Sequence, residues 1–205
     1  MVGHLKNIAS ELAEQVADSL GMKGTIDAIR PRVPVGNPEP SPPLSQYSNA
    51  PQSLSGKKIG LLTTDEVSGT LYDSLVMLAK DEMATVEVIA PKVGPITTSN
   101  GTEIIPDHFL DGAPSVLFDC VVVAPASKHA KSLAAQSASI DWIRDAFAHL
   151  KAIGFNDAAK PMFEKACVAT DADEGMVDIS NGNLDKFAVA AKKHRIWKRE
   201  PELRS

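Results

Sequence analysis

Asp65 and Glu66 are neighbouring carboxylates that could serve as acid and base. They lie in Thr63-Thr64-Asp65-Glu66, at the end of an apolar run. Two neighbouring carboxylates divide into an acid and a base only when their surroundings push their proton affinities apart, and this tetrapeptide reads first as a solvated turn. A second cluster, Ser127-Lys128-His129, offers a hydroxyl, an amine and an imidazole, the parts of an activated nucleophile. Neighbours in sequence do not face one another on a helix, however, and a triad is made by geometry rather than by adjacency.

The thiols and the remaining imidazoles are more dispersed. Cys120 opens the apolar run Cys120–Ala124 and reads as a small buried hydrophobe. Cys167 is the one candidate for a reactive thiol. There is no CxxC, and His4, His108, His129, His149 and His194 show no metal-ligand spacing. His149 reads as a structural hydrogen-bonding residue. Neither GxGxxG nor GxxxxGK[ST] occurs, so the backbone devices for dinucleotide and P-loop phosphate binding are missing.

Bulk composition narrows the partners. The net charge of −5 argues against non-specific nucleic-acid binding, which needs clustered positive charge. No apolar run approaches the roughly 18 residues that cross a bilayer, and Met1–Leu20 is amphipathic, unlike a signal peptide. Neither nucleic acid nor membrane is therefore an expected partner, and the sequence does not choose between a cytoplasmic and a secreted location. The basic stretch 184–205 (Lys186, Lys192, Lys193, Arg195, Lys198, Arg199, Arg204) reads as a solvated face or one paired with the protein's own acids.

Three segments must position these groups. In residues 2–20, Leu5, Ile8, Leu12, Val16 and Leu20 recur at spacings of 3 or 4, predicting one helix with those residues on its buried face. Gly21 is placed to end it in the left-handed conformation. Half of the chain's 14 prolines fall between Pro31 and Pro51. That excludes helix and central strand, so 31–55 reads as an extended linker; Pro40–Pro43 also has the form of a PxxP ligand, although a plain connector is the stronger reading. From Lys57 onward strands and helices alternate. The expected strands are Lys58–Thr63, Thr85–Ala90, Cys120–Ala124, Lys151–Phe155 and Cys167–Thr170. The expected helices are Thr70–Asp81, Ile140–Leu150 and Leu184–Trp197, with a type I′ hairpin at Asn100-Gly101 between Ile96 and Ile104. This alternation implies a doubly wound α/β domain with a parallel sheet.

In such sheets ligands bind outside the carboxyl ends of the strands. The corner after the fourth expected strand, where a nucleophile elbow would sit, reads Asn156-Asp157-Ala158 and holds neither Cys nor Ser.

Four stretches carry a family resemblance: Gly56–Leu62, Val88–Pro91, Asp111–Asp119 without Ala113, and Asp145–Gly154. Together they resemble the C-terminal domain of large-subunit haem catalases, which belongs to the class I glutamine amidotransferase-like superfamily and is flavodoxin-like. On this resemblance residues 1–24 correspond to the last helix of a catalase core, 25–56 to the joining linker and 57–205 to the flavodoxin-like domain. Active superfamily members use a Cys in the elbow, a Glu near the first strand and an oxyanion hole near the third. Here the elbow is Asn156-Asp157-Ala158, the glycine pair is replaced by Ala126-Ser127, and Glu66 lies several residues early.

The resemblance therefore implies no catalytic, cofactor-binding or metal residues in this chain. It implies a parent that dismutates hydrogen peroxide on haem held elsewhere, because neither Tyr47 nor Tyr72 has the Arg four residues before it that accompanies a haem tyrosine. The implied partners are the catalase core and the other subunits of a homotetramer. Two alternatives stand beside an accessory role: a chaperone-like module binding unfolded client proteins, and a residual hydrolase using Cys167 or Ser127.

Overall fold

The computed structural model describes residues 1–22, 24, 26–34, 36, 39, 41–45 and 49–203, so Tyr47, Pro40 of the proline stretch and Arg204 lie outside the described residues. The chain forms two compact units, Met1–Asn49 and Ala50–Ser205.

In the first unit the expected single helix is two, α1 (Val2–Leu5) and α2 (Ser10–Ser19). The break has a local cause. Residues 27–29 run across the first turn, where Ile29 N–H donates to Gly3 O (3.0 Å) and the Asn7 amide donates to Ile29 O (2.7 Å). The chain leaves the helical path there, and Ala9 is extended before α2 begins. The buried face is also corrected. Ala13, Ala17 and Val2 are buried, whereas Ile8, Leu12 and Leu20 are 76%, 42% and 60% exposed. Gly21 ends α2 as expected (φ 65°) in a Schellman motif, with Met22 N–H on Ala17 O and Gly21 N–H on Asp18 O. Farther along, Pro42–Leu44 forms one 3₁₀ turn, with the Asn49 amide donating to the carbonyls of Pro42 and Pro43.

The second unit is the expected doubly wound domain. Strands β1 (Lys58–Thr63), β2 (Thr85–Ala90), β5 (His108–Phe109), β6 (Cys120–Ala124), β7 (Ile153–Phe155) and β8 (Met176–Asp178) form one parallel sheet in the order β5-β2-β1-β6-β7-β8. Setting aside the outer β5, the sequence of strands is 2-1-3-4-5, the flavodoxin-like order with its reversal between β1 and β6. Helices α3 (Gly69–Asp81) and α7 (Asp185–Ala191) cover one face, where Leu75 and Phe187 meet Leu61 and Val122. On the other face lie α4 (Ser127–Leu133), α5 (Ser137–Ala148) and α6 (Lys160–Ala166), where Ile143 and Phe163 meet Leu62 and Val123. Central strands buried on both sides need continuous apolar runs, and all five residues of β6 are buried.

Three expectations fail here. Cys167 opens no strand: it is left-handed (φ 56°) at the end of α6, and the fifth core strand is β8, nine residues on. The last helix stops at Ala191 rather than Trp197, because His194 takes a left-handed turn (φ 60°) and Ile196 N–H reaches back to Leu150 O (2.7 Å). The chain then makes a 3₁₀ turn, Trp197–Arg199, and a short α8, Glu200–Leu203. The hairpin of β3 (Ile96–Thr97) and β4 (Glu103–Ile104) does pair Ile96 with Ile104. Its loop, however, is five residues closed by Thr98 N–H on Thr102 O, and only Gly101 has positive φ, so it is not a two-residue type I′ turn.

Candidate functional site

Chemistry in this topology belongs at the carboxyl ends of β1, β6 and β7. Two of the clusters singled out from the sequence do meet there. The β1–α3 turn lies against α4, with Lys128 Nζ 2.7 Å from Glu66 Oε1. The two strand ends are tied together as well: Thr63 Oγ1 donates to Ala124 O (2.7 Å), and Ala126 N–H donates to Thr64 Oγ1 (3.0 Å). Asp65 is fixed by Lys92 (2.5 Å) and by Thr97 N–H (3.1 Å). Beside it lies a cavity of about 90 Å³ lined by Thr64, Asp65, Lys92, His129, Ser132 and Gln136 among others.

The electrostatics of this corner do not divide the carboxylates into acid and base. The hydrogen bond from Lys92 lowers the Asp65 carboxyl, and the hydrogen bond from Lys128 lowers that of Glu66. Both are pushed the same way and both stay ionised at neutral pH, unlike a catalytic pair whose proton affinities are driven apart. Ser127, at the first turn of α4, is exposed, and among the described residues its hydroxyl has no hydrogen-bonded base.

At the β7 corner the polar groups are engaged with one another. Asn156 is unstrained (φ −99°, ψ 168°). Its side chain accepts from Ala159 N–H (3.1 Å) and donates to Pro125 O (3.0 Å), and its backbone N–H donates to Val123 O (3.2 Å). It thus caps the turn leading into α6 and joins the ends of β6 and β7. Asp157 N–H donates to Ser180 Oγ (2.9 Å), the Ser180 hydroxyl donates to Asp178, and Lys160 spans Asp157 and Asp178. A nucleophile elbow presents an exposed hydroxyl or thiol on a sharp, strained turn; this corner presents an amide in a relaxed cap.

The other candidates lie apart. Cys120 is buried at the amino end of β6, and burial, reinforced by Asp119, pushes its thiol up to about 12. Cys167 is exposed at the end of α6. His149 is exposed at the C-terminus of α5.

Sequence reasoning overlooked the groups at the opposite, amino end of the sheet. Lys151, just before β7, is 1% exposed. Its amine donates to Ser115 O and Phe118 O, both at 2.5 Å. Burial, with Arg195 adding, pulls it down to about 8. Arg199, in the stretch expected to be a solvated face or one paired with the protein's own acids, is completely buried and takes the second course. It forms a two-pronged pair with Asp173 (2.6 and 2.9 Å), donates to Phe147 O and Lys151 O, and stacks 4.1 Å above the Phe147 ring. Gly175 makes room for it, since a Cβ there would meet Ile196 and the guanidinium. Burial alone would raise the Asp173 carboxyl; the Arg199 and Gly175 hydrogen bonds outweigh it and hold the group low. Elsewhere in the basic stretch Lys192 pairs with Glu82, and Lys193 and Lys198 with Glu174. The signal that could have found this lock is the Asp173-x-Gly175 turn just ahead of a buried strand, with arginine following the last helix.

Catalases hold haem iron with a tyrosine, and Tyr72 is the tyrosine among the described residues. It is half-buried in a groove with Val76, Lys80 and Asp107, and burial raises its phenol. Among the described residues no group of three His, Cys, Asp or Glu side chains is placed to hold a metal ion. Nor is any helix among them long and apolar enough to cross a membrane.

Comparison with known proteins gives one family. Residues 55–201 match the model of the C-terminal domain found in long catalases. Catalase C of Rhizobium meliloti (strain 1021) is 38% identical over 209 residues, covering 100% of this chain and 29% of that protein. Catalase HPII of Pseudomonas aeruginosa is 29% identical over 196 residues, covering 96% of this chain and 27% of that protein. The chain thus spans under a third of the length of these curated relatives. Among solved structures, a two-domain protein from Anabaena variabilis, containing DJ-1/ThiJ/PfpI-like and ferritin-like domains, aligns with TM-score 0.49 and 15% identity over 54% of this chain and 33% of its own.

Proposed function

The chain belongs to the family of C-terminal domains found in long catalases, and from that premise we propose that it is a non-catalytic accessory domain of such an enzyme. In this reading residues 57–205 stabilise the assembly or shape access to the haem channel. Residues 1–24, with their two helices α1 and α2, are the end of the catalase core and 25–56 the linker. The parent dismutates hydrogen peroxide in oxidative-stress defence, with haem held in the core, and its partners are that core and the other subunits of a homotetramer. We assign this chain no catalytic residue, no cofactor, and no nucleic-acid or membrane partner.

The observation that carries this reading is where the buried charge lies. Lys151 and the Arg199–Asp173 pair are at the amino end of the sheet, holding loops and the C-terminal segment together. The carboxyl end, where ligands of this topology bind, offers exposed ion pairs and a relaxed cap. The test is removal of residues 57–205 from the full-length enzyme. Loss of resistance to heat or denaturant, with peroxide turnover retained at low temperature, is expected; equal resistance in both forms sinks the proposal.

One observation favours a second reading, the chaperone-like module. Ile8, Leu12 and Leu20 expose their large apolar side chains while small alanines are buried, and exposed apolar surface is what a binding module offers to unfolded chains. The chain in molar excess should then suppress light scattering by a heated client protein, and an Ile8→Ser/Leu12→Ser/Leu20→Ser variant should not. Unchanged scattering with the unaltered chain removes this reading. No feature favours the residual hydrolase.

A further inference from the structure

The β3–β4 loop contains Asn100-Gly101, and nothing in the accessory role uses it. An asparagine followed by glycine is the pair in which a backbone nitrogen meets least hindrance in attacking the preceding side-chain amide, because the second residue has no Cβ. The geometry adds three features. Asn100 and Gly101 are both exposed, and Gly101 has φ 87°. The Asn100 Oδ1 accepts from Thr98 Oγ1, with Thr102 N–H a further 3.5 Å away. Donors on that oxygen stabilise the negative charge it acquires when its carbon is attacked. Finally, the carboxamide rests on Gly69, the first residue of α3, where a Cβ would overlap it.

We propose that Asn100 is a site of spontaneous deamidation, and that its aspartate product places a carboxylate at the N-terminus of the 13-residue helix α3. The Gly101 nitrogen attacks Asn100 Cγ and loses its proton to solvent. Protonated Nδ2 leaves as ammonia, giving a five-membered cyclic imide. Water then opens the imide at either carbonyl, to aspartate or to isoaspartate. Nothing is oxidised or reduced, and the only co-reactant is water. One contact opposes attack: Gly101 N–H donates to Thr98 O at 3.0 Å and must let go. The α3 end already gathers acceptors around its free N–H groups, with Ser99 Oγ on Gly69 N–H (3.1 Å) and Ser68 Oγ on Leu71 N–H (3.3 Å). A carboxylate added there interacts favourably with the helix dipole.

The experiment incubates the folded chain beside an unstructured peptide of residues 96–104 at pH 8 and follows each by peptide-mapping mass spectrometry. The folded chain is expected to gain one mass unit at Asn100 at a rate within about tenfold of the peptide, since a single hydrogen bond must be released. An Asn100→Gln chain should gain nothing at this position over the same period. Conversion slower than that margin, or a mass gain that persists in Asn100→Gln, overturns the assignment. The Asn100→Asp variant should unfold roughly 1–4 °C higher than the parent; an unchanged or lower midpoint overturns the placement of the product charge.

Discussion

The two ends of the parallel sheet use charge in opposite ways. At the carboxyl end, Asp65, Glu66, Lys92 and Lys128 form ion pairs reached by solvent, and Asn156 satisfies itself as a cap. At the amino end, Lys151 and Arg199 are enclosed and hydrogen-bonded to backbone carbonyls of three different segments. A sheet of this order keeps ligand chemistry at the first end. Here the costly groups are at the second, where removing one partner strands the other in low dielectric. Buried charge marks a functional site only when it faces a place where substrate can enter.

The comparison predicts that damage is graded by end. Arg199→Met leaves Asp173 without its pair and takes the guanidinium donor from Lys151 O and Phe147 O, and should destabilise the domain by about 3–5 kcal/mol in denaturant unfolding. A cost under about 1 kcal/mol would mean that the lock is dispensable. Lys151→Met removes the donor to Ser115 O and Phe118 O and should cost about 1–3 kcal/mol near neutral pH.

Lys151 also gives a pH signature. Its folded value of about 8 lies below the ordinary 10.5, so between those limits the unfolded chain binds more protons. Stability relative to Lys151→Met should therefore rise as pH climbs from about 8 to about 10.5, and stay level below that window. A difference that does not change with pH would place Lys151 in an ordinary solvated state.

At the carboxyl end the effects should be smaller. Asn156→Ala loses a cap and a β6–β7 tie, at about 1–2 kcal/mol. Lys128→Ala breaks an exposed pair and should leave the unfolding midpoint where it was. A large shift from Lys128→Ala would erase the contrast between the two ends.

Much of this layout is legible in the sequence because it is periodic or punctuated. The strands at Lys58–Thr63, Thr85–Ala90 and Cys120–Ala124 stand where the apolar runs put them. Gly21 ends its helix by the mechanism its lack of a side chain allows. What failed depended on partners distant in sequence. Residues 27–29 divide the first helix, and a 3.6-residue apolar period cannot reveal a crossing segment. Cys167-Val168-Ala169-Thr170 has strand composition, yet Met176–Asp178 pairs with β7 instead. Arg199 reads as one more surface cation until Asp173 and Gly175 are brought beneath it. At the candidate site, the missing elbow nucleophile is plain from Asn156-Asp157-Ala158. The pairing of Glu66 with Lys128, 62 residues apart, needs the fold.

The most direct test places both ends in one heating experiment on the full-length protein, which is proposed to decompose peroxide. Arg199→Met is compared with a carboxyl-end variant, Asp65→Asn/Lys128→Ala/His129→Ala, by peroxide-decomposing activity remaining after a temperature ramp. Arg199→Met should lower the inactivation temperature while turnover before heating is unchanged, and the carboxyl-end variant should match the parent in both. Unchanged heat resistance in Arg199→Met, with altered turnover in the carboxyl-end variant, would contradict both expectations.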